Sequence, residues 1–292
     1  MHIEELIEKI VPVNQNLIKN AQQHFDNLIK PVGSLAQLET MTSRYAAIIG
    51  SVEKEDLTAP VPGVLLIVGN GASSARLEQA LTGKYPAVVV ARQVNVTTSP
   101  IFVTGEKTDE LIEEGAMLAL EYSREEQAKI LLLGSLSPAL KPEAWETALI
   151  EQDPYFFLEK LQDPLVTALT GAILQAAGEK LPIILDGVTA LLAAVAASKF
   201  NPAAVDYCFA GHVSLEPGLE KLLTFLKLEA PLRLNLPDGS GVGASACLTL
   251  LQAGIKAYKE METFDEAGVH KEEAAFSLQE QKKKSGSATD GN

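Results

Sequence analysis

One acidic residue stands at the head of a glycine-rich stretch. Asp238 is followed by glycines at 239, 241 and 243, and then by an apolar run with helical spacing. Glycine allows the backbone to approach a ligand closely, so a carboxylate on this turn is a candidate general base. The same acid is also a candidate N-cap, which would accept hydrogen bonds from the first amides of the following helix. The residues leave both interpretations open.

Few other side chains have the spacing of a known catalytic or metal site. His212 follows a predicted strand, but no second ligand or nucleophile has a diagnostic spacing with it, so we interpret it as a structural histidine. Cys208 and Cys247 lie in apolar sequence and are predicted to be buried thiols. Lys30, in a Lys-Pro-Val-Gly turn, could contact a ligand phosphate or simply be solvated. We expect no metal ion and no cofactor.

The charge of the chain argues against several kinds of partner. Its formal net charge of −14 disfavours nucleic acid and anionic membrane surfaces. The N-terminus lacks the pattern of a secretory signal, and the longest apolar run, around Val188–Ala197, is too short to cross a bilayer. We therefore expect a cytoplasmic protein that binds neither nucleic acid nor membranes. A phosphate could still bind locally, at helix N-termini and backbone amides.

The first sixty residues predict helices. Apolar residues at helical intervals over residues 3–29 indicate one or two amphipathic helices. After the Lys-Pro-Val-Gly break, Ser34 and Gln37 have the spacing of a capping box, which predicts a second helix through about Ile49. A linker rich in proline and glycine over residues 59–63 then separates this region from a different type of sequence.

Beyond the linker, apolar strands alternate with helical patterns. Val64–Val68 is a continuous apolar run ending at Gly69-Asn70-Gly71, which is typical of a buried parallel strand with a loop that lines a ligand crevice. Further strands are predicted at Ala87–Ala91, Ile130–Leu133, Pro182–Leu185 and Val205–Ala210. Helices are predicted at Thr108–Tyr122, around Glu143–Ile150, at Leu165–Ala177, from Asp186-Gly187 to Ser198, at Glu216–Leu226 and after Gly243. The alternation predicts an α/β fold with a mostly parallel sheet and helices on both faces.

Five motifs, in this order along the chain, resemble those of one enzyme family. They are Leu-Ile-Lys-Pro-Val-Gly-Ser-Leu-Ala-Gln-Leu-Glu (28–39), Leu-Pro-Ile-Ile-Leu-Asp-Gly (181–187), Asp-Tyr-Cys-Phe-Ala-Gly-His-Val-Ser-Leu-Glu-Pro-Gly (206–218), Asp-Gly-Ser-Gly (238–241) and Met-Glu-Thr-Phe-Asp-Glu-Ala-Gly-Val (261–269). From about residue 25 to 269 the chain is similar to the nicotinate mononucleotide:dimethylbenzimidazole phosphoribosyltransferases. In that family an aromatic base displaces nicotinate from nicotinate mononucleotide, which gives the riboside phosphate used as the lower ligand of cobamides.

The resemblance implies a dimer whose subunits combine a Rossmann-like, mostly parallel α/β domain with a small helical domain built from both chain ends. We accordingly expect residues 1–58 to supply the first helices of the small domain and residues 63–235 to form the large domain. Residues 238–269 are expected to form a closing helix that joins the small domain. The last segment, 270–292, has almost no apolar residues after Leu278 and is predicted to be a disordered tail.

The resemblance also implies a set of site residues. It places Pro31, Gly33 and Ser34 near the nucleotide, and Ser214 and Glu216 along the wall of the active site. Asp238 stands where the family has its general base. The other substrate-binding candidates are Gly69, Asn70, Gly239, Ser240 and Gly241.

Three departures from the family pattern lie at this site. The family's base is a glutamate, whereas Asp238 is one methylene shorter, and a misplacement of about 1 Å can lower the rate about a hundredfold. The family's Gly-Asp-His-Gly strand end is Gly69-Asn70-Gly71 here. Its phosphate-binding turn, Glu-Met-Gly-Ile-Gly-Asn-Thr-Thr, becomes Gly134-Ser135-Leu136-Ser137-Pro138-Ala139, in which Pro138 lacks an amide donor.

These departures favour a non-catalytic or weakly active subunit that pairs with a related, catalytically intact subunit as a heterodimer. The pair would transfer phosphoribosyl from nicotinate mononucleotide to a phenolic or benzimidazole base. Two alternatives stay open. The chain could be an active enzyme, paired with itself, that uses Asp238 as the base, or a protein that binds the nucleotide or the aromatic base without turnover.

Overall fold

The structure, a computed structural model, describes residues 3–268 and contains a sheet of five parallel strands. The strands are β1 (Gly63–Gly69), β2 (Val96–Phe102), β3 (Ile130–Ser135), β4 (Ile183–Leu185) and β5 (Cys208–Ala210). Their order across the sheet is β2-β1-β3-β4-β5. Helices connect the strands, so the predicted α/β fold with a parallel sheet is confirmed. The predicted tail, 270–292, lies outside the described residues.

The central strands form where the sequence is apolar without interruption. Every residue of β1 and β3 is buried, as expected for parallel strands covered on both faces. The register pairs Val68 of β1 with Ser135 of β3, and Leu185 of β4 with Ala210 of β5. The residues that follow these strands therefore meet at one edge of the sheet, its carboxyl edge.

Thirteen α-helices accompany the sheet in the described part of the chain. They are α1 (Ile3–Lys9), α2 (Gln15–Asn27), α3 (Gln37–Ile49), α4 (Ser74–Leu81), α5 (Pro86–Gln93), α6 (Thr108–Glu125), α7 (Pro142–Trp145), α8 (Pro154–Leu161), α9 (Pro164–Gly178), α10 (Gly187–Phe200), α11 (Leu219–Leu226), α12 (Val242–Glu260) and α13 (Phe264–Ala267). None of these described helices combines the length and the apolar character that a bilayer crossing needs.

The strand predicted at Ala87–Ala91 is wrong, because these residues belong to α5. Pro86 occupies the first turn of that helix, a position that proline favours. Val88 is buried whereas Val89 is half exposed, so the apolar run presents one helical face to the core. The second strand of the chain instead forms at Val96–Phe102, on the edge of the sheet, where Pro100 is tolerated.

Two further predictions are partly wrong. Only Cys208–Ala210 of the predicted strand Val205–Ala210 is extended, because Pro202–Tyr207 forms a 3₁₀-helix that Asn201 caps. The capping box at Ser34 does not form: α3 begins at Gln37, after Ala36, and no side chain caps it. The chain before α3 instead turns through Gly33, which has φ of 71°.

The chain divides into two compact units. The first comprises the described part of Met1–Val13 together with Pro60–Thr249, and it contains the whole sheet. The second comprises Asn14–Ala59 and the described residues from Leu250 onward. In the second unit, Leu28 pairs with Thr263 in an isolated bridge, and the ring of Phe25 packs edge-on against Tyr258. The predicted domain bounds stay predictions, whereas these units follow from contacts within the structure.

Candidate functional site at the carboxyl edge of the sheet

The carboxyl edge brings together residues that are far apart in the sequence. Asp186 directly follows β4, and His212 follows β5 after one glycine. The loop 238–241 joins the same edge, since the amide of Ser135 at the end of β3 donates to the carbonyl of Gly239 at 2.9 Å. Gly239 is thereby fixed beside the ends of the central strands.

Asp186 caps α12. Its Oδ2 atom accepts hydrogen bonds from the amides of Gly241 at 2.8 Å and Gly243 at 3.0 Å, at the start of that helix. The N-cap interpretation of Asp238 is therefore wrong: α12 begins four residues later, and Oδ1 of Asp238 accepts from the hydroxyl of Ser240 at 2.8 Å. The acid that caps α12 is therefore Asp186, which follows β4.

His212 lies against the capping acid. Its Nδ1 atom is 2.7 Å from Oδ1 of Asp186, and both side chains are completely buried. Among the described residues, no group forms a hydrogen bond with the other ring nitrogen, Nε2. The ring also fills the space beside Gly243, where a Cβ atom would lie 2.0 Å from Nδ1. His212 is thus packed inside the protein, in agreement with its interpretation as a structural histidine.

Two glycines let the loop approach the end of β4. A Cβ atom at Gly239 would lie 2.2 Å from the Cα atom of Gly187, and one at Gly187 would lie 2.4 Å from the Cα atom of Gly239. Gly187 also has φ of 80°, a conformation that side chains other than glycine rarely adopt. The two backbones therefore touch, which is why the loop requires glycine here.

The Asp238 carboxylate faces an arginine that the sequence analysis did not single out. Nη1 of Arg76 lies 3.9 Å from Oδ2 of Asp238 and donates to the carbonyl of Leu136 at 3.0 Å. Both charged side chains are partly exposed, so their Coulomb attraction is modest. Arg76 lies on α4. It is the first basic residue after the end of β1, and this position in the sequence could have indicated it as a site residue.

Polar side chains at the ends of β1 and β3 contact one another. The hydroxyl of Ser137 lies 3.2 Å from Oδ1 of Asn70 and 3.2 Å from the hydroxyl of Ser73. The hydroxyl of Ser73 in turn accepts from the amide of Asn70 at 2.9 Å. Gly69 packs directly against Ser73, since a Cβ atom at position 69 would lie 2.6 Å from the hydroxyl oxygen of Ser73.

Glu216 is a second carboxylate at this edge. Its Oε2 atom accepts hydrogen bonds from the amide of Val188 at 3.1 Å and from the hydroxyl of Ser214 at 2.8 Å. Burial raises the pKa of Glu216 above its usual value, the two hydrogen bonds act against that rise, and the charges of Asp186 and Asp238 add to it. Ser214 and Glu216 therefore form one unit on the wall near loop 238–241.

A turn of the second unit carries the candidates Pro31, Gly33 and Ser34. Glu39 binds residues on both sides of these candidates. Oε1 of Glu39 is 2.8 Å from Nζ of Lys30, and both side chains are buried. The same oxygen accepts from the amide of Leu35 at 3.0 Å. Lys30 is therefore not simply solvated, and its ammonium group is paired with a carboxylate inside the unit.

The arrangement at the carboxyl edge suits a polar or anionic small molecule. In sheets of this strand order, ligands bind where the order reverses, which here lies between β1 and β3. Arg76 supplies a positive charge there, and Asp238 and Glu216 supply carboxylates that can accept a proton. No cluster of three or more His, Cys, Asp or Glu residues able to hold a metal ion occurs in the described part of the chain.

Comparison with known proteins identifies relatives of this chain. A family model described as phosphoribosyltransferase matches residues 10–97 and 137–269. A nicotinate-nucleotide–dimethylbenzimidazole phosphoribosyltransferase from Geobacter sulfurreducens is 27% identical over 344 residues, which cover 91% of this chain and 98% of the relative. The enzyme of the same name from Brucella canis is 42% identical over 118 residues, 40% of this chain and 35% of the relative.

The fold also has a structural counterpart. The crystal structure of CobT from Thermus thermophilus superposes with a TM-score of 0.75 at 23% sequence identity. The superposition covers 88% of this chain and 99% of that chain. At this level of identity the likeness shows a shared fold.

Proposed function

The chain belongs to the phosphoribosyltransferase family whose curated relatives are nicotinate-nucleotide–dimethylbenzimidazole phosphoribosyltransferases, and from this we propose that it acts in phosphoribosyl transfer from nicotinate mononucleotide to an aromatic base. In this reaction the bond between C1′ of the ribose and the nitrogen of nicotinate breaks, and a bond from C1′ to the acceptor forms. The acceptor loses a proton to a base. The product would serve as the lower ligand of a cobamide.

The observation that carries the proposal is the fixed position of loop 238–241. Asp186 binds the amides of Gly241 and Gly243, and the carbonyl of Gly239 binds the end of β3. The loop therefore presents its carboxylate at the edge where open α/β sheets bind their ligands. A carboxylate at that edge can accept the proton that the acceptor loses.

The carboxylate of Asp238 is nevertheless poorly placed for efficient catalysis. It is one methylene shorter than the glutamate of the family pattern, and displacement by about 1 Å can lower the rate about a hundredfold. Its Oδ1 atom already accepts from Ser240, and its Oδ2 atom faces Arg76. Both features support a chain that turns over slowly by itself.

We further propose that this chain works as one subunit of a heterodimer, with a related subunit that has an intact site. The buried framework around Asp186, His212, Gly187 and Gly239 is closely packed, whereas the groups that would act on substrate depart from the family pattern. A chain that keeps its packing but has lost catalytic groups fits a supporting role in such a pair. The acceptor of the pair is a phenolic or a benzimidazole base.

The test is an assay of nicotinate release from nicotinate mononucleotide, with phenol and with dimethylbenzimidazole as acceptors. It compares this chain alone, a related subunit that carries the glutamate, and the co-purified pair. We expect slow release by the chain alone and fast release by the pair, with Asp238→Asn leaving the pair fully active.

Other results would overturn parts of the proposal. Fast release by the chain alone that Asp238→Asn abolishes would identify a self-sufficient enzyme. Calorimetric binding of nicotinate mononucleotide without release in any combination would identify a binding protein. Absence of both binding and release in every combination would overturn the proposed reaction.

A further inference from the structure

The carboxylate of Glu216 lies beside position 187, in a space that is free because residue 187 is glycine. A Cβ atom at position 187 would lie 2.6 Å from Oε2 of Glu216 and 2.4 Å from the Cα atom of Gly239. The side chain of Glu216 and the loop that carries Asp238 therefore meet at the same glycine. This contact puts a second carboxylate next to the loop where the candidate base stands.

One oxygen of Glu216 is anchored and the other is not. The amide of Val188 and the hydroxyl of Ser214 both donate to Oε2, which fixes the orientation of the carboxylate. No described residue donates to Oε1, and this atom is not among the fully buried polar atoms that lack a partner. Oε1 is therefore held at a defined position and remains accessible.

Asp238 is engaged at both of its oxygens. Its Oδ1 atom accepts from Ser240, its Oδ2 atom faces the guanidinium group of Arg76, and the side chain is partly exposed. Of the two acids, Glu216 is the one whose free oxygen is oriented and unpaired.

We propose that Glu216, through Oε1, accepts the proton of the aromatic acceptor in this chain's own slow reaction. The inference rests on the proposed function. The acceptor's O–H or N–H bond breaks and its proton moves to Oε1. The bond between C1′ and the nicotinate nitrogen breaks, nicotinate departs, and C1′ bonds to the acceptor. The proton then passes to solvent, and the carboxylate is regenerated.

The electrostatic surroundings suit this role. Burial raises the pKa of Glu216, and the negative charges of Asp186 and Asp238 raise it further, against the hydrogen bonds from Ser214 and Val188. A general base works best when its pKa lies near the operating pH. A raised pKa brings Glu216 closer to that condition than an unperturbed carboxylate would be.

The experiment measures nicotinate release by the full chain alone, with phenol as acceptor, for three variants. We expect Glu216→Gln to lower kcat at least tenfold, which is a larger loss than the one that Asp238→Asn causes. Glu220→Gln is the matched control, since Glu220 lies on the exposed face of α11 and pairs with Arg233. Circular dichroism and thermal unfolding establish that each variant is folded.

A pH profile separates a proton acceptor from a residue that only supports the wall. Ser214→Ala removes a donor that stabilises the charged carboxylate, so the acid limb of kcat/KM should move to higher pH. Asp238→Asn removes a neighbouring negative charge, so the limb should move to lower pH. If Glu216→Gln does not fold, these two opposite shifts carry the test.

Three results would overturn the inference. The first is an unchanged rate in folded Glu216→Gln, and the second is an acid limb of kcat/KM that moves in neither Ser214→Ala nor Asp238→Asn. The third is no release of nicotinate by the chain alone while the pair is active. The last result would leave the proposed function standing. Absence of release in every combination would remove the proposed function instead.

Discussion

The Asp186 carboxylate accepts a hydrogen bond from the amide of Gly243 at 3.0 Å, although the two residues are 57 positions apart in the sequence. The bond joins the end of β4 to the start of α12. It fixes the loop before that helix, which carries Asp238, without using Asp238 itself. The position of the candidate base is therefore set by a different acid.

Asp186→Ala should destabilise the first unit strongly. The substitution leaves the buried amides of Gly241 and Gly243 without an acceptor, which should lower the free energy of unfolding by about 2–4 kcal/mol. Asp153→Ala is the control, because Asp153 caps the exposed start of α8 and its loss should cost about 1 kcal/mol. Urea unfolding measures both. Equal losses in the two variants would contradict the capping role of Asp186.

Lys30→Met should destabilise the chain by about 3 kcal/mol or more, since it leaves the carboxylate of Glu39 buried without its cation. Lys256→Met removes a partner from an exposed ion pair with Glu260, for which we expect a change of about 0.5 kcal/mol or less. Thermal or urea unfolding distinguishes the two variants. A loss at Lys30 as small as that at Lys256 would show that the pair is solvated.

Glu216→Gln should change the free energy of unfolding by an amount that depends on pH. The folded protein raises the pKa of Glu216, so ionisation of this group disfavours the folded state as the pH rises from the usual value through the raised one. Below that window the acid is protonated in both states and contributes no such penalty. The variant should therefore gain stability relative to the wild type as the pH rises from 4.5 toward neutrality. An identical difference at both ends of that range would contradict the raised pKa.

Much of the fold is predictable because burial leaves a simple pattern in the sequence. The continuous apolar runs of β1, β3 and β4 predict buried parallel strands, and the structure has them at nearly the predicted positions. The edge strand β2 carries Pro100 and polar residues, so its pattern is weak. The valine-rich run just before it has the composition of a strand but forms α5, because Pro86 starts a helix there.

The site is less predictable because its contacts are not local. The loop 238–241 and the pair of Ser214 and Glu216 are visible as motifs, and the structure brings both to one edge of the sheet. The roles of Asp186 and Arg76 depend on which strand ends become neighbours. No spacing along the chain contains that information.

The most direct test of the account is the rate of nicotinate release by the Asp238→Glu variant alone, with phenol as acceptor. The longer side chain restores the methylene by which Asp238 differs from the glutamate of the family pattern. We predict a rate at least tenfold above that of the wild-type chain, in keeping with the cost of a misplacement of about 1 Å. A rate equal to or below that of the wild type would contradict the account.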